Sequence, residues 1–503
     1  MIEIMDTTLR DGEQTTGVSF SAHEKLSIAQ TLISELGVNR LEIASARVSD
    51  GEFDAVKKIA RWAEKTGNLE RLEVLGFVDG DLSLKWIEST GCRVINLLCK
   101  GSYKHVTEQL RRTPEEHIND IRKVVEFAQK KHIDVNIYLE DWSNGMKSSP
   151  DYVYQFMDGL KDFPIRRFML PDTLGILNPE NTLNFCTDMI EEYPNLWFDF
   201  HAHNDYDLAV ANVFSAVSAG VKGVHTTVNG LGERAGNAPL SSVLAVLKDQ
   251  LGEKTTLNEE KINKASRLVE TYSAIHIAPN RPIVGEYVFT QCAGVHADGD
   301  NKNNLYCSEL MPERFGRVRE YALGKLSGKA NIRKNLETLG IDMDEDSMRK
   351  VTERIIELGD KKEMVTQEDL PYIISDVLNQ PAFGDEKIRI MNYSLSLAQG
   401  LRPVATVKIE INGEAYEESA TGDGQYDAFV RALRKIYEKL GRSFPKLTNY
   451  LVSIPPGGRT DAFVQTIISW EYAGIDFKTR GLDVDQTESA IKATLKMLNK
   501  IEE

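Results

Sequence analysis

The sequence is short of cysteine, of positive charge and of long apolar runs, and each shortage excludes a class of protein. Only five cysteines occur in 503 residues, and they form no CxxC pair, which fits a reducing compartment. Lys and Arg number 60 against 76 Asp and Glu, a formal net charge of −16, which disfavours nucleic acid or an anionic membrane as partner. No run approaches the roughly 20 apolar residues that cross a bilayer. The charged N-terminus has no apolar signal core. We expect a cytosolic enzyme without a nucleic-acid or membrane partner.

Apolar residues make up 41% and charged residues 27% of the chain, which is typical of a globular protein. The chain is too long for one core, so we expect two to four domains. Neither a low-complexity tract nor a short-period repeat interrupts the pattern.

The first half alternates β-branched runs with amphipathic helical stretches, the pattern of a parallel α/β fold. The predicted strands are Ile2–Thr8, Arg40–Ala44, Leu72–Phe77, Val94–Leu98, Val135–Leu139, Phe168–Leu170, Trp197–His201 and Gly223–Val228. The predicted helices are Ala22–Leu36, Phe53–Lys65, Leu82–Ser89, Pro114–Lys131, Pro179–Tyr193, Leu208–Ala219 and Leu240–Leu251. Eight such repeats predict a (β/α)8 TIM barrel over residues 1–270. An open doubly wound sheet is the alternative, but no Gly-rich turn follows the first strand.

The second half has a different pattern. Residues 271–385 are mostly helical and form predicted linker subdomains, and residues 380–385 read as a linker. Residues 386–503 predict a compact α+β domain in the order strand–strand–helix–strand–strand–helix. Its predicted elements are strands Ile388–Leu397 and Ala405–Ile411, helix Gln425–Leu440, strands Asn449–Ile454 and Ala462–Tyr472, and helix Asp485–Ile501.

A barrel places functional side chains just past the carboxyl ends of its strands, and polar residues gather there. His201 and His203 are two apart, so in a strand both imidazoles point to the same side. Asp11, the first acid after strand one, can complete a facial set for Zn²⁺, Mn²⁺, Co²⁺ or Mg²⁺ with positions left open for substrate. The alternative is that the HxH pattern arises by chance and both rings are simply hydrogen-bonded. His203-Asn204-Asp205 also indicates a strand end followed by a helix cap, which is compatible with a cation site.

Three further strand-end residues have two interpretations each, and a nearby charged pair has one. Glu140 is either a functional carboxylate or half of a salt bridge. Asp172 either takes part in the site or only orients its neighbours. Thr173 either binds a substrate carboxylate or simply ends a strand, and Glu233-Arg234 is most simply an internal ion pair.

Three long motifs together resemble one family. DTTLRDGEQ at Asp6–Gln14, HAHND at His201–Asp205 and NGLGERAGNA at Asn229–Ala238 resemble signatures of the 2-isopropylmalate, homocitrate and citramalate synthases. These enzymes condense acetyl-CoA, as co-substrate, with a 2-oxo acid. The resemblance extends over nearly the whole chain, including a C-terminal unit similar to the family's allosteric amino-acid-binding domain.

The resemblance implies a role for each matching residue. Asp11, His201 and His203 correspond to the metal ligands, and Asn237 to a fourth ligand. Arg10 corresponds to the residue that polarises the ketone, Thr173 to the one that binds the oxo-acid carboxylate, and Glu140 is the candidate base. His296, Asn304 and Tyr306 correspond to residues that reach in from a partner subunit, so a homodimer is expected.

Substrate choice depends on the pocket for the oxo-acid side chain. The segments Glu42–Ser49 and Tyr138–Gly145 look more like those of citramalate synthases than of isopropylmalate synthases. Leu75, Leu98 and Tyr138 correspond to the bulky residues that line the pyruvate pocket of the former. Pyruvate is therefore the expected substrate, with 2-oxoisovalerate as the alternative. The two leucines can also be read as ordinary barrel core, and an apolar pocket discriminates by only about 1–3 kcal/mol per methylene.

The C-terminal unit carries the candidate effector site. A Gly-rich turn at Gly422–Asp427 precedes a helix N-terminus, where free backbone N–H groups favour a carboxylate. Tyr426 and Asp427 lie there, and Tyr450 and Ile454 share one face of the next strand. The resemblance implies isoleucine as effector if the substrate is pyruvate, and leucine otherwise. A dimerisation domain without ligand is the alternative. Outside the family, a metal-dependent aldolase or lyase and a silent amino-acid sensor remain open.

Overall fold

The computed structural model describes residues 1–300, 302, 305–339, 341–360, 365, 367–378, 387–453 and 464–502. The chain divides into two compact units. The first comprises Met1–Thr290 and Tyr306–Glu320, and the second Gln291–Leu305 and Tyr321–Glu503. The predicted division at 270 and 385 stays a prediction.

Eight parallel strands close into a barrel in the first unit, as the alternating pattern predicts. They are β1 (Glu3–Asp6), β2 (Arg40–Ser45), β3 (Leu72–Phe77), β4 (Val94–Lys100), β5 (Asp134–Glu140), β6 (Ile165–Asp172), β7 (Phe198–Ala202) and β8 (Gly223–Thr226). Each strand pairs with its neighbour in sequence, and Ile4 of β1 lies opposite Val224 of β8, which closes the cylinder. The TIM-barrel prediction is confirmed, and the open sheet is wrong.

Helices surround the barrel and end where local signals predict. The α-helices of the first unit are Ala22–Gln30, Asp50–Thr66, Leu82–Thr90, Pro114–Lys130, Trp142–Ser148, Pro150–Leu160, Pro179–Glu192, Ala209–Ala219, Leu240–Asp249 and Ile262–Ser273. Thr113 and Glu116 form a capping box at the start of helix Pro114–Lys130, and Gly67, at φ 71°, ends helix Asp50–Thr66.

Two local features differ from prediction. The stretch Ala22–Leu36 is α-helical only to Gln30 and continues as a π-helix over Thr31–Leu36. The helices Trp142–Ser148 and Pro150–Leu160 between β5 and β6 were not predicted. They are short and separated only by Ser149 before a proline, so the helical periodicity is broken at that point.

The barrel interior is more polar than a typical stack of branched aliphatic side chains. Arg40 on β2 is buried and pairs with Glu73 at 3.0 Å and with Asp199, which lies across the barrel on β7. Asn136 donates to Asn96 and Asn96 donates to Glu42, each at 2.8 Å. Buried polar groups are stable when they are hydrogen-bonded, and these ladders fix the side chains beneath the barrel mouth.

The described part of the second unit contains two separate apolar cores. Helices Gly294–Asp300, Lys329–Leu339, Glu345–Asp360 and Leu370–Leu378 lie in its first part, where a small apolar cluster includes Ile332, Val351 and Ile374. The second core lies between two sheets and two helices over 387–502.

The C-terminal domain is an α+β domain, as predicted, but its described residues form six strands instead of four. Two three-stranded antiparallel sheets are each followed by a helix. The elements are strands Ile388–Ser396, Val404–Ile411 and Glu414–Thr421, helix Gln425–Lys439, strands Lys446–Ser453, Val464–Tyr472 and Ile475–Asp483, and helix Gln486–Ile501. Glu414–Thr421 and Ile475–Asp483 were missed because both are rich in charged residues. The signal was the Asn412-Gly413 turn, whose φ angles of 51° and 84° are typical of a tight hairpin.

Among the described residues, no helix is long and apolar enough to span a membrane.

Candidate active site

The turn after β1 places Asp11 at the barrel mouth. The backbone N–H groups of Asp11 and Gly12 both donate to the Thr7 carbonyl, at 2.8 and 3.1 Å, which folds the chain back over the end of the strand. The Asp11 side chain is 2% exposed. Its Oδ2 lies 3.1 Å from Nη1 of Arg10, 3.3 Å from Nε2 of His201 and 4.0 Å from Nε2 of His203.

The two histidines reach the same place from β7. His201 is in the strand and His203 directly follows it, and both are buried. His203 forms an isolated antiparallel bridge with Asn237, so the loop after β8 lies against the end of β7. Asn237 donates through Nδ2 to the Leu231 carbonyl at 3.0 Å, which leaves its amide oxygen free to act as a ligand.

These four residues fit a divalent cation. One ligand atom each from Asp11, His201 and His203 lies within 4.8 Å of the others. Asp11 Oδ1 and Asn237 Oδ1 are buried and have no hydrogen-bond partner among the described residues. Buried oxygens without partners are costly, and a carboxylate, two imidazoles and an amide oxygen are ligands that zinc, manganese, cobalt and magnesium accept to different degrees.

Charge and burial keep two of the predicted ligands, Asp11 and His203, in the protonation states that cation binding requires. Burial alone would raise the pKa of Asp11, but the charge of Arg10 and the hydrogen bond from His201 hold that pKa well below its ordinary value. Burial, and next the charge of His201, lowers the pKa of His203 to about 4. The site therefore offers a carboxylate and a neutral imidazole at pH 7.

Glu42 is the residue that sequence reasoning missed at this site. It is fully buried on β2, and its Oε2 accepts from Nε of Arg10 and from the Thr7 hydroxyl, each at 2.6 Å. Together with Asp11 it raises the pKa of Arg10, although burial opposes this. Glu42 begins the segment Glu42–Ser49, which was considered only for substrate choice. A glutamate inside a predicted barrel strand is the signal that could have identified it as a site residue.

The predicted pocket residues come together. Leu75, Leu98 and Tyr138 form one apolar cluster with Met5 and Met169 inside the barrel. Leu98 and Tyr138 lie opposite each other on β4 and β5. The Arg10 guanidinium lies 5.7 Å from the centre of the Tyr138 ring, so the cluster directly adjoins the charged part of the mouth.

Glu140 lies at the end of β5 in an ion pair with Lys100 at the end of β4. Thr173 is tied to the neighbouring loop, where its hydroxyl accepts from the Asp141 backbone N–H at 2.9 Å. Asp172 is buried and accepts the backbone N–H groups of Ile176 and Leu177, both at 3.0 Å, so it orders the loop after β6.

The ion pair predicted between Glu233 and Arg234 is only the weaker of two. Arg234 lies 3.6 Å from Glu233, but its Nε donates to Asp205 at 2.7 Å and its Nη2 to the same carboxylate at 3.0 Å. The same guanidinium donates to the Thr173 carbonyl at 2.8 Å. Arg234 therefore links the loops after β6, β7 and β8.

The residues expected from a partner subunit lie in different parts of the chain. His296 belongs to the short helix Gly294–Asp300 of the second unit, and Tyr306 begins a segment of the first unit. Asn304 lies outside the described residues. Their roles stay predictions.

Two of the predicted effector residues meet. The rings of Tyr426 and Tyr450 are 5.3 Å apart, and Tyr426 shares a hydrogen bond of 2.8 Å with Thr494. Asp427 accepts from the Asp423 backbone N–H at 2.8 Å and pairs with Arg431. The fourth predicted residue, Ile454, lies outside the described residues.

Three family models match successive parts of the chain. Residues 1–269 match the HMGL-like family, residues 283–363 the homocitrate synthase post-HMGL domain and residues 364–502 the LeuA allosteric (dimerisation) domain. A putative (R)-citramalate synthase CimA of Methanopyrus kandleri is 35% identical over 92% of this chain and 88% of the relative. A probable 2-isopropylmalate synthase of the same organism is 33% identical over 99% and 98%. The (R)-citramalate synthase CimA of Methanocaldococcus jannaschii is 33% identical over 100% and 99%.

The closed barrel and the cluster at its mouth define a (β/α)8 enzyme with a site suited to a divalent cation. The chain belongs to the HMGL-like family, in the group of synthases that includes the citramalate and 2-isopropylmalate synthases. The resemblance based on the three motifs is confirmed.

Proposed function

We propose that the protein condenses acetyl-CoA with pyruvate to form (R)-citramalate and release CoA. One observation carries the choice of pyruvate. Leu75, Leu98 and Tyr138 converge inside the barrel beside Arg10, and three bulky side chains leave room for a methyl group where an isopropyl group would be crowded.

The charged residues account for binding of the oxo acid. Arg10 is held by Glu42 and Asp11, so its positive charge is fixed where the ketone oxygen becomes an alkoxide. Fixed charge of this kind needs no reorganisation during the reaction. Thr173 is the proposed partner of the substrate carboxylate.

Asp11, His201, His203 and Asn237 would hold a divalent cation, Mn²⁺, Zn²⁺, Co²⁺ or Mg²⁺. When bound, such a cation polarises a carbonyl as a Lewis acid. The buried carboxylate and neutral imidazole that the chain supplies are suited to that role.

Carbon–carbon bond formation requires a base. A base takes a proton from the acetyl methyl group, the enolate carbon attacks the ketone carbon of pyruvate, and water then cleaves the thioester to release CoA. Glu140 is the proposed base. Its ion pair with Lys100 orients the carboxylate, and this pair has to open before the carboxylate can contact the acetyl methyl group. His296 is the second candidate for the base. Like Asn304 and Tyr306, it is proposed to reach the site from another subunit.

The second candidate function is 2-isopropylmalate synthesis from 2-oxoisovalerate. It is favoured by the relatives with that name, which match this chain at the same 33% identity as a citramalate synthase. A panel of 2-oxo acids with acetyl-CoA, in which released CoA is measured with a thiol reagent, separates the two. We expect pyruvate to give a kcat/KM at least tenfold above that of 2-oxoisovalerate, the low end of discrimination by methylene groups. The reverse order would favour isopropylmalate synthesis, and no CoA release with any oxo acid would refute both.

We also propose that residues 386–503 bind isoleucine and that the protein acts as a homodimer. The contact between Tyr426 and Tyr450 supplies an apolar wall beside the N-terminus of helix Gln425–Lys439. Feedback control requires the effector to favour a less active state, with a coupling of about 1–3 kcal/mol. Calorimetry of the full chain with isoleucine, leucine and valine tests this proposal, and no heat of binding with any of the three would refute it.

A further inference from the structure

A chain of hydrogen bonds crosses the barrel interior beneath the mouth. Nη2 of Arg10 lies 3.4 Å from the Tyr138 hydroxyl. That hydroxyl lies 3.0 Å from Nδ1 of His225 on β8, and Nε2 of the same ring lies 3.2 Å from Oδ2 of Asp199 on β7. Tyr138, His225 and Asp199 are each at most 2% exposed, so water does not compete for these bonds.

The residues at the two ends of this row of hydrogen bonds determine which atom donates and which accepts in each bond. Asp199 pairs with Arg40 and accepts from the Trp197 indole at 2.9 Å, so it acts only as an acceptor and His225 carries its hydrogen on Nε2. A neutral imidazole carries a hydrogen on only one of its two ring nitrogens. Nδ1 of His225 is then an acceptor, and the Tyr138 hydroxyl donates to it.

The position of Asp199 is itself fixed by a close approach. A Cβ at Gly223 on β8 would lie 2.1 Å from Asp199 Oδ1, so only glycine at that position leaves room for the carboxylate. Asp199, His201 and His203 alternate along the same stretch of chain and therefore share a face. This relay of hydrogen bonds, Asp199–His225–Tyr138–Arg10, thus begins on β7, from which the two imidazoles of the candidate cation site also come.

We propose that Asp199 and His225 are positioning residues that turn the Tyr138 hydroxyl away from the barrel mouth, so that its oxygen only accepts, from Arg10, and offers no donor to the substrate. Arg10 then has three acceptors, Glu42, Asp11 and Tyr138, and its guanidinium keeps one orientation toward the ketone. This inference rests on the proposed condensation, in which Arg10 acts on the ketone.

Two substitutions of His225 separate this role from packing. In His225→Asn the amide oxygen lies near the position of Nδ1 and can still accept from Tyr138. In His225→Gln the amide reaches toward Asp199 instead, so the Tyr138 hydroxyl is free to turn its hydrogen toward Arg10. Both variants keep a polar amide of intermediate size.

Steady-state kinetics with pyruvate and acetyl-CoA test the proposal. We expect Tyr138→Phe and His225→Gln each to lower kcat about tenfold, the scale of one oriented hydrogen bond, with less than about a threefold change in KM. His225→Asn should keep more than about a third of the wild-type kcat. The double variant His225→Gln/Tyr138→Phe should be no slower than Tyr138→Phe, because both changes break the same chain. A double variant with multiplied losses, or an Asn variant as slow as the Gln variant, would overturn the relay.

Nitrogen NMR of the 15N-histidine-labelled wild-type protein gives a readout that does not depend on turnover. The chain has nine histidines, and the signal missing in His225→Asn assigns residue 225. One protonated and one unprotonated ring nitrogen are expected, with the hydrogen on Nε2. A hydrogen on Nδ1 would overturn the relay even if the Tyr138→Phe and His225→Gln variants fail to fold. Wild-type protein that releases no CoA would instead refute the proposed function and leave the NMR result to decide the relay.

Discussion

Replacement of the buried ammonium of Lys25 is expected to cause a large loss of stability at a position outside the mouth. Lys25 is 0% exposed and lies on helix Ala22–Gln30. Its Nζ lies 3.1 Å from the Leu9 carbonyl, 2.6 Å from Glu13 and 2.5 Å from Glu52. All three donors are used, and two of the partners belong to the turn that carries Arg10 and Asp11.

The cost of Lys25→Met follows from what it leaves behind. Methionine fills much of the same volume, but the Glu13 and Glu52 side chains, 21% and 15% exposed, lose their shared cation. Removal of one partner of a buried pair costs about 3–5 kcal/mol, and partial exposure places this case near 3 kcal/mol. Burial already raises the pKa of Glu52, although Lys25 opposes this. Protonation of Glu52 removes one of the two uncompensated charges. The loss of unfolding free energy in Lys25→Met should therefore become smaller as the pH falls.

Urea unfolding followed by tryptophan fluorescence is the assay. Four of the five tryptophans, at positions 62, 86, 142 and 197, lie in the first unit, so the signal reports mainly on the barrel. Lys25→Met/Glu52→Gln should recover about half of the lost free energy, since one carboxylate is removed. The control is Lys85→Met, because Lys85 is 61% exposed and pairs with Asp81 at 2.9 Å, and exposed pairs of this kind change stability by about 0–1 kcal/mol. Equal unfolding midpoints for Lys25→Met and Lys85→Met would refute the reasoning.

Four other predictions concern the mouth, the pocket, pH and the effector site. Asp11→Ala should abolish CoA release and leave the circular dichroism spectrum unchanged; near-normal turnover after chelation and reloading with one metal would show that the ligand is misassigned. Leu75→Ala should narrow the preference for pyruvate over 2-oxoisovalerate, and an unchanged kcat/KM ratio would mean that Leu75 is only core. Burial lowers the pKa of His117 to about 4, so the folded state binds fewer protons than the unfolded state between pH 4 and about 6.5. The free energy of unfolding should therefore decrease as the pH is lowered through that window. The decrease should be less steep in His117→Gln and unchanged in the control His276→Asn, whose site is exposed; equal slopes in the wild type and both variants would contradict this. Tyr426→Ala should weaken isoleucine binding in calorimetry while basal turnover is maintained, and unaltered affinity would exclude Tyr426 from the effector site.

The sequence alone predicted the barrel and the two imidazoles of the candidate cation site, because both follow from local patterns. The alternation of strand and helix patterns repeats along the first half of the chain. Successive parallel strands joined by helices can be connected in only a few topologies. The HxH spacing on a strand places two imidazoles on one side before any tertiary contact forms. The pattern was weaker where charged residues cover exposed strands, so Glu414–Thr421 was missed despite the Asn412-Gly413 turn beside it.

Only the tertiary structure decided which distant polar groups meet. Nothing near Glu42 in the sequence shows that it accepts from Arg10, 32 positions away, and nothing near His225 shows that it lies between Tyr138 and Asp199. The structure also shows that Glu140 is paired with Lys100. Such contacts depend on strand order and register around a closed barrel, where residues far apart in the chain become neighbours and a shift of one residue moves each side chain to the other face.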